Sequence, residues 1–323
     1  MLKFAIRRFL IMIPQIFILS VIVFIIAQLM PGDALSGLID PDVPYHLVQQ
    51  MREDLGLNLP WYMQYWNWMV GIFTRFDFGR SMQFAPTPVI NLIAVRAPNT
   101  IRLSFFILVV MYAISLPLGI IAGRHEGKWP DKAITFYTYL GFGLPTMVVG
   151  LIFLFIFGFN LRWLPTGGTV NPGFHPEMGF PYIWSRFRHL ILPGLAIALV
   201  STVGTVQNLR ALIINMKHRE FVTTVRAKGA DESRLFNKHI LRNSLLPIAS
   251  SLGFQIAFLI SGTVLIERVF SFQGMGTLFI DSITGRDFSV MIALVMLFGT
   301  AMLFGSFLSD MIMMMVDPRI EIE

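Results

Sequence analysis

Six stretches of the chain, residues 9–29, 101–122, 133–159, 190–214, 245–266 and 288–316, are long, apolar and almost free of charge. No other feature restricts the fold as tightly. A bilayer core takes about 20 residues of α-helix, and a helix satisfies its backbone amides internally where there is no water to do so. The expectation is an all-α polytopic membrane protein with six transmembrane helices. Composition agrees, since 55% hydrophobic and 14% charged residues with a mean hydropathy of +0.67 lie outside the range of soluble chains of 323 residues. The first run follows Lys3, Arg7 and Arg8 as a signal peptide would, but it is too long, and Gln28-Leu29-Met30-Pro31 offers no small-residue cleavage site. It is expected to be an uncleaved signal anchor.

Lysine and arginine set the expected orientation. With a cytoplasmic N-terminus, the inner segments hold Lys3, Arg7 and Arg8, then Arg124, Lys128 and Lys132. Next come Lys217, Arg219, Arg226, Lys228, Arg234, Lys238 and Arg242, and finally Arg319. The short outer loops hold only Arg162, Arg186, Arg188, Arg268 and Arg286. That asymmetry follows the positive-inside rule, so a multi-pass protein of the cell membrane with both termini in the cytoplasm is expected. The net charge of +6 is thereby explained by topology, and no nucleic-acid partner is expected. The absence of cysteine excludes a disulfide framework, a thiolate metal site and a cysteine nucleophile.

Three regions lie outside the spans. The outer stretch 30–100 carries Trp61, Tyr62, Tyr65, Trp66 and Trp68, which suit either a helix at headgroup level or a small folded cap. The loop 162–189 contains His175, Glu177 and His189, but without the spacing of a helical metal site, so no metal is expected. The third region, 217–243, is dense in charge and far longer than the roughly 2 to 8 residues that a helix connection needs. It reads as two short helices. Glu220 starts the first, Arg226 and Lys228 end it, Gly229 stops it in a left-handed turn, and Asp231 caps the second. Phe221, Val222 and Val225 form an apolar stripe on the first, and Leu235, Phe236 and Ile240 on the second. Such stripes can rest on the protein's own spans or dock a cytoplasmic partner, and the length favours docking.

Thr223-Thr224-Val225-Arg226-Ala227-Lys228-Gly229, followed by His239, Leu241-Arg242-Asn243 and Leu246-Pro247, resembles the cytoplasmic EAA-type loop of ABC-importer permeases of the dipeptide and oligopeptide (DppB/OppB-like) family. Further matching stretches run the length of the chain. They include Pro31-Gly32-Asp33, Leu55-Gly56-Leu57, Asp77-Phe78-Gly79, Trp163-Leu164-Pro165-Thr166-Gly167-Gly168, Glu267-Arg268-Val269-Phe270-Ser271, Gly274-Met275-Gly276, Arg286-Asp287 and Asp317-Pro318-Arg319. Gln273 and Ser289 depart from the family's usual proline.

The resemblance implies a type I ABC-importer permease fold with an extracytoplasmic insertion after the first helix. It divides the chain into an anchor and outer region (1–98), a five-helix permease domain (99–316) with a coupling loop at 217–243, and a short tail (317–323). It also implies a homologous second permease subunit, two ATPase subunits and an extracytoplasmic substrate-binding protein as partners. Phe221, Val222 and Val225 become expected apolar anchors on an ATPase, Arg226 and Lys228 their polar rim and Gly229 the turn, with Ala227 in the same coupling segment.

No cofactor is expected on this chain, with ATP and magnesium held by the partners. A phosphate-binding loop needs four residues between its glycines and a hydroxyl after Gly-Lys. The nearest string, Gly123-Arg124-His125-Glu126-Gly127-Lys128-Trp129, has three and then a tryptophan.

Ser201, Thr205 and Asn208 follow i, i+4, i+7 in the fourth run and, with Ser251 and Gln255 in the fifth, are candidates for the translocation pathway. Hydrogen-bonded contacts between helices are the alternative reading. Asp310 inside the sixth run is expected to be paired, Pro14, Pro117 and Pro145 to kink their helices, and Gly119 with Gly123 to form a close helix contact. Other readings are an importer of a metal chelate or different solute with the same architecture, an ion-coupled secondary transporter, or a membrane enzyme. No nucleophile or zinc motif supports the last.

Overall fold

The structure, a computed structural model, describes residues 2–29, 44–54, 56–81, 83–84 and 87–316. Pro31-Gly32-Asp33, Leu55 and the tail from Asp317, with Arg319, lie outside the described residues. Helices dominate. In chain order they are α1 (Leu2–Leu29), α2 (Tyr45–Asp54), α3 (Trp61–Arg75), α4 (Val89–Arg124), α5 (Trp129–Phe142), α6 (Thr146–Phe153), α7 (Phe180–Lys217) and α8 (Glu220–Ala227). Then follow α9 (Glu232–Arg234), α10 (Arg242–Ser250), α11 (Leu252–Gly262), α12 (Val264–Val269), α13 (Met275–Thr284) and α14 (Phe288–Val316). A two-residue hairpin pairs β1 (Arg80–Ser81) with β2 (Thr87–Pro88).

Five helical runs are long and apolar enough to cross a membrane: α1, α4, α7, the continuous stretch Glu232–Val269 that joins α9 to α12, and α14. The expected third span is not straight. It is two pieces, α5 and a second segment in which α6 continues as a π-helix over Leu154–Asn160, bent by 97°. Pro145 stands at the bend as the residue before α6, where its ring fits the first turn of a helix but not the interior of one. By contrast, α1 and α4 continue unbroken through Pro14 and Pro117.

Glycine sets how closely the helices approach. On α4, Gly119 and Gly123 face α7 so tightly that added Cβ atoms would lie 3.0 Å from Leu209 and 2.7 Å from Ile213. Gly194 of α7 receives the Phe106 ring, and Gly253 and Gly305 let α11 and α14 approach backbone to backbone. Packing between helices in lipid relies on such small residues, because lipid tails give no hydrophobic drive for apolar helices to associate. In α7, 61% of the apolar stretch is buried, against 22% in α1. α7 is the centre of the bundle and α1 an outer strut, laid along α14 through Val23, Phe24, Met291 and Ile292.

α2, α3 and the hairpin gather at one end. Tyr65 and Trp68 of α3 pack on Phe24 of α1, while Trp61, Tyr62 and Trp66 are exposed. Asp287, just before α14, accepts from the Ser81 hydroxyl and from the amides of Gln83 and Val290, and so ties the hairpin to the start of that helix. α8 lies at the opposite end, beside the turn between α4 and α5. The boundary expected at residues 98 and 99 falls inside α4, so the outer region and the bundle share one helix.

Candidate functional site

The segment 217–243 folds as one short helix and the start of a long one. α7 ends at Lys217, α8 occupies Glu220–Ala227, and Gly229 turns the chain at φ +79°. Asp231 then caps the next helix by accepting from the Ser233 amide at 3.0 Å. The expected second short helix is instead the beginning of the span that runs to Val269, passing through a π-helical turn at Leu235–Leu241. A π turn inserts one residue into the helical register, and Leu235, Phe236 and Ile240 within it are all buried.

Both apolar stripes turn inward. Val222 is 4% exposed and joins Leu209, Ile213, Leu235, Ile240 and Ile248 in one core cluster. It locks α8 to its own bundle and is not a surface anchor, which corrects the role expected for it. Phe221 and Val225 are half-buried against the same cluster. The face of α8 turned away from the bundle carries Thr223, Thr224, Ala227 and Lys228, all exposed. Arg226 is exposed and pairs with Glu232 at 2.7 Å, bridging α8 to the following span.

Ion pairs hold the surrounding end. Arg210 of α7 grips Asp131 of α5 with two bonds, 2.5 and 2.9 Å, and Asp131 also accepts from the Gly127 amide. Lys217 reaches Glu126 in the α4–α5 turn at 3.0 Å and holds that carboxyl below the usual carboxylate range. Asp310 pairs with Arg8 at 3.3 Å, as a charge inside a span requires.

The candidate pathway residues divide. On α7, Thr205 is buried, Ser201 half-buried and Asn208 exposed. Ser251 bonds its own helix at Ile248, and Gln255 accepts from Tyr112 of α4 at 2.7 Å, so both are occupied within the chain. The exposed face of α7 is slightly rotated from the expected one. It runs through Gly204, Asn208, Ala211 and Asn215, spaced at 4, 3 and 4 residues. A Cβ on Gly204 would meet nothing within 4 Å. Gly inside a helix costs about 0.5–1 kcal/mol relative to Ala, and no contact among the described residues explains it. Two bare amides and a glycine do not suit a lipid-facing surface, where unmet polar groups are costly.

Residues 115–322 match the family described as "Binding-protein-dependent transport system inner membrane component", and residues 1–104 match its N-terminal companion family. The chain belongs to this permease family. It is 35% identical over 99% of its length to the whole of the "Oligopeptide transport system permease protein AppB" of Bacillus subtilis (strain 168). It is 30% identical, over 99% of each chain, to the "Glutathione transport system permease protein GsiC" of Escherichia coli (strain K12). The type I permease fold follows with the family, and so does a place in a multi-pass membrane transport system.

Its place near the outer end of a span would let Glu267 reach the membrane interface, but in this permease it does not. Glu267, at the end of α12, is fully buried and receives four hydrogen bonds: Thr100 and Thr263 hydroxyls at 2.8 and 2.9 Å, and Gly276 and Thr277 amides at 2.8 and 3.1 Å. The two amides are unpaired donors at the first turn of α13, whose dipole favours a negative charge there. Cβ atoms on Gly274 and Gly276 would come within 2.4 and 2.9 Å of this carboxylate, so both glycines make room for it. The motif Glu267…Gly274-Met275-Gly276 is thus a helix cap. His175, Glu177 and His189 do not converge; His189 is buried within α7, bonded to Ser185, and among the described residues no three such groups gather.

Proposed function

We propose that this chain is one of two permease subunits of an ATP-driven importer of peptides, taking substrate from an extracytoplasmic binding protein and force from two separate ATPase subunits. The relatives named for oligopeptide and glutathione transport supply the substrate class, glutathione being itself a small peptide. The observation that carries the mechanical part is α8, a short helix locked to the bundle by Val222 on one side and bare on the other.

In this reading the α8 end is cytoplasmic, with both termini inside, and the α3 end faces outward. An ATPase seats on Thr223, Thr224, Ala227 and Lys228, with Phe221, Val225 and Arg226 at the margin and Gly229 as the turn. Val222 carries displacement into α7 and into the span beginning at Glu232. A push can be transmitted only through a stiff contact, and a buried stripe in a close-packed core is stiff. The face through Gly204, Asn208, Ala211 and Asn215 lines the pathway, with Ser201 at its edge, and its amides match peptide backbone groups.

The test is reconstitution. The chain purified with its partners and sealed in vesicles should import peptide only with ATP. Peptide uptake by the chain alone would instead identify an ion-coupled carrier.

A further inference from the structure

At the α3 end, two guanidinium groups converge on one neutral oxygen. Arg186 of α7 and Arg102 of α4 both donate to Asn99 Oδ1, the latter at 3.4 Å. The orientation of that amide is fixed, because Asn99 Nδ2 donates to the Gln273 carbonyl at 2.7 Å. Arg186 is held further by Tyr182, donating to its hydroxyl at 2.7 Å and lying 5.4 Å over its ring. Among the described residues no carboxylate pairs with either arginine. Glu267, bonded to the neighbouring Thr100, is buried and fully engaged with other donors, and Asp281 is taken by Arg268.

Like charges held on a shared acceptor repel, and an anion placed between them relieves that repulsion while gaining short charge-assisted bonds. Arg102 is exposed and Arg186 half-buried, so donors remain open to a ligand. Their position narrows its nature. Arg186 lies on the same helix as the exposed Gly204, Asn208 and Asn215, eighteen residues before Gly204 and so about five turns, at ~3.6 residues per turn, toward the α3 end.

We propose that Arg102 and Arg186 receive the terminal carboxylate of a peptide at the outer mouth of the pathway. The proposal rests on the peptide-importer reading. A carboxylate is the one anionic group that every free peptide carries whatever its side chains, so a paired guanidinium site accepts many sequences without selecting among them.

The complete transporter, with its receptor and ATPases in vesicles, is assayed for ATP-driven uptake of trialanine and of its C-terminal amide. Wild type is compared with Arg102→Gln, Arg186→Gln and Arg186→Lys. The receptor is the same throughout, so its own preference cancels when the acid-to-amide uptake ratio of each variant is divided by that of wild type. That quotient should fall by roughly tenfold in either Gln variant, and the Lys variant should recover part of it. Equal slowing of both peptides would assign the pair to a lipid headgroup or a subunit contact and overturn the proposal, as would no change. If Arg186→Gln fails to assemble, exposed Arg102→Gln carries the test. A wild-type complex that imports neither peptide overturns the peptide reading, and this site with it.

Discussion

The two ends of the bundle hold charge differently. At the α8 end, carboxylates meet cations: Asp131 with Arg210, Glu126 with Lys217, Glu232 with Arg226 and Asp310 with Arg8. At the α3 end one such pair, Arg268 with Asp281, stands beside two carboxylates, Glu267 and Asp287, that are satisfied by hydroxyls and helix amides, and Arg102 and Arg186 share a neutral amide. Ion pairs tie α7 to α5 and to the turn after α4, α8 to the span that begins at Glu232, and α1 to α14. Caps fix the start of α13 and of α14 without consuming the available cations. In the importer proposed above, the α8 end would carry load and the α3 end would leave two arginines for a ligand.

The contrast makes graded predictions. The largest effect belongs to the cap. Glu267→Leu strands four buried donors, each worth about 1–3 kcal/mol when unmet, so thermal unfolding in detergent should show a loss of at least about 3 kcal/mol. Glu267→Gln keeps one acceptor oxygen and should fall between. A neutral result for Leu would mean that the cap does not hold α13.

Next is the clamp at the opposite end. Asp131→Ala leaves Arg210 without its carboxylate and should cost about 3 kcal/mol. Adding Arg210→Met should restore much of that by removing the stranded charge. Equal losses in the single and double variants would show that the pair contributes only through packing.

A smaller effect is expected at the turn. Gly229→Ala has room for its Cβ, since nothing lies within 4 Å, but φ +79° costs an L-residue roughly 1–2 kcal/mol. The chain should still insert, while ATP hydrolysed per peptide imported rises because α8 seats less firmly. An unchanged ratio would remove Gly229 from coupling.

The smallest effect is Glu126→Gln, under about 1 kcal/mol for a pair this exposed. Lys217 lowers the folded-state pKa of Glu126, so its stabilisation is present above the ordinary carboxylate pKa and is lost as pH falls through the lowered value. Wild type and variant should therefore differ by a constant amount near neutral pH and converge only in acid.

What could be read in advance follows from the range of each signal. Apolar runs are local, so the spans were legible, and α14 begins where its run begins, at Phe288. Pro145 marked a distortion, but not that the chain would turn by 97° there, since the angle is set by what α6 packs on: Gly150 against Ile266 and Phe270. The stripe of Phe221, Val222 and Val225 was visible, yet its direction was not. A helix that docks on a partner and one that docks on its own bundle show the same periodicity. The Glu267 cap joins Thr100 to a residue 167 positions away, and no spacing rule spans that separation.

Crosslinking from α8 tests the central claim most directly. The chain contains no cysteine, so one introduced thiol is the only one it carries. In the assembled, transport-active complex, Thr224→Cys should crosslink to an ATPase subunit, while Val222→Cys, buried in the bundle, should not. Crosslinking from Val222 and silence from Thr224 would contradict the account, and so would silence from both.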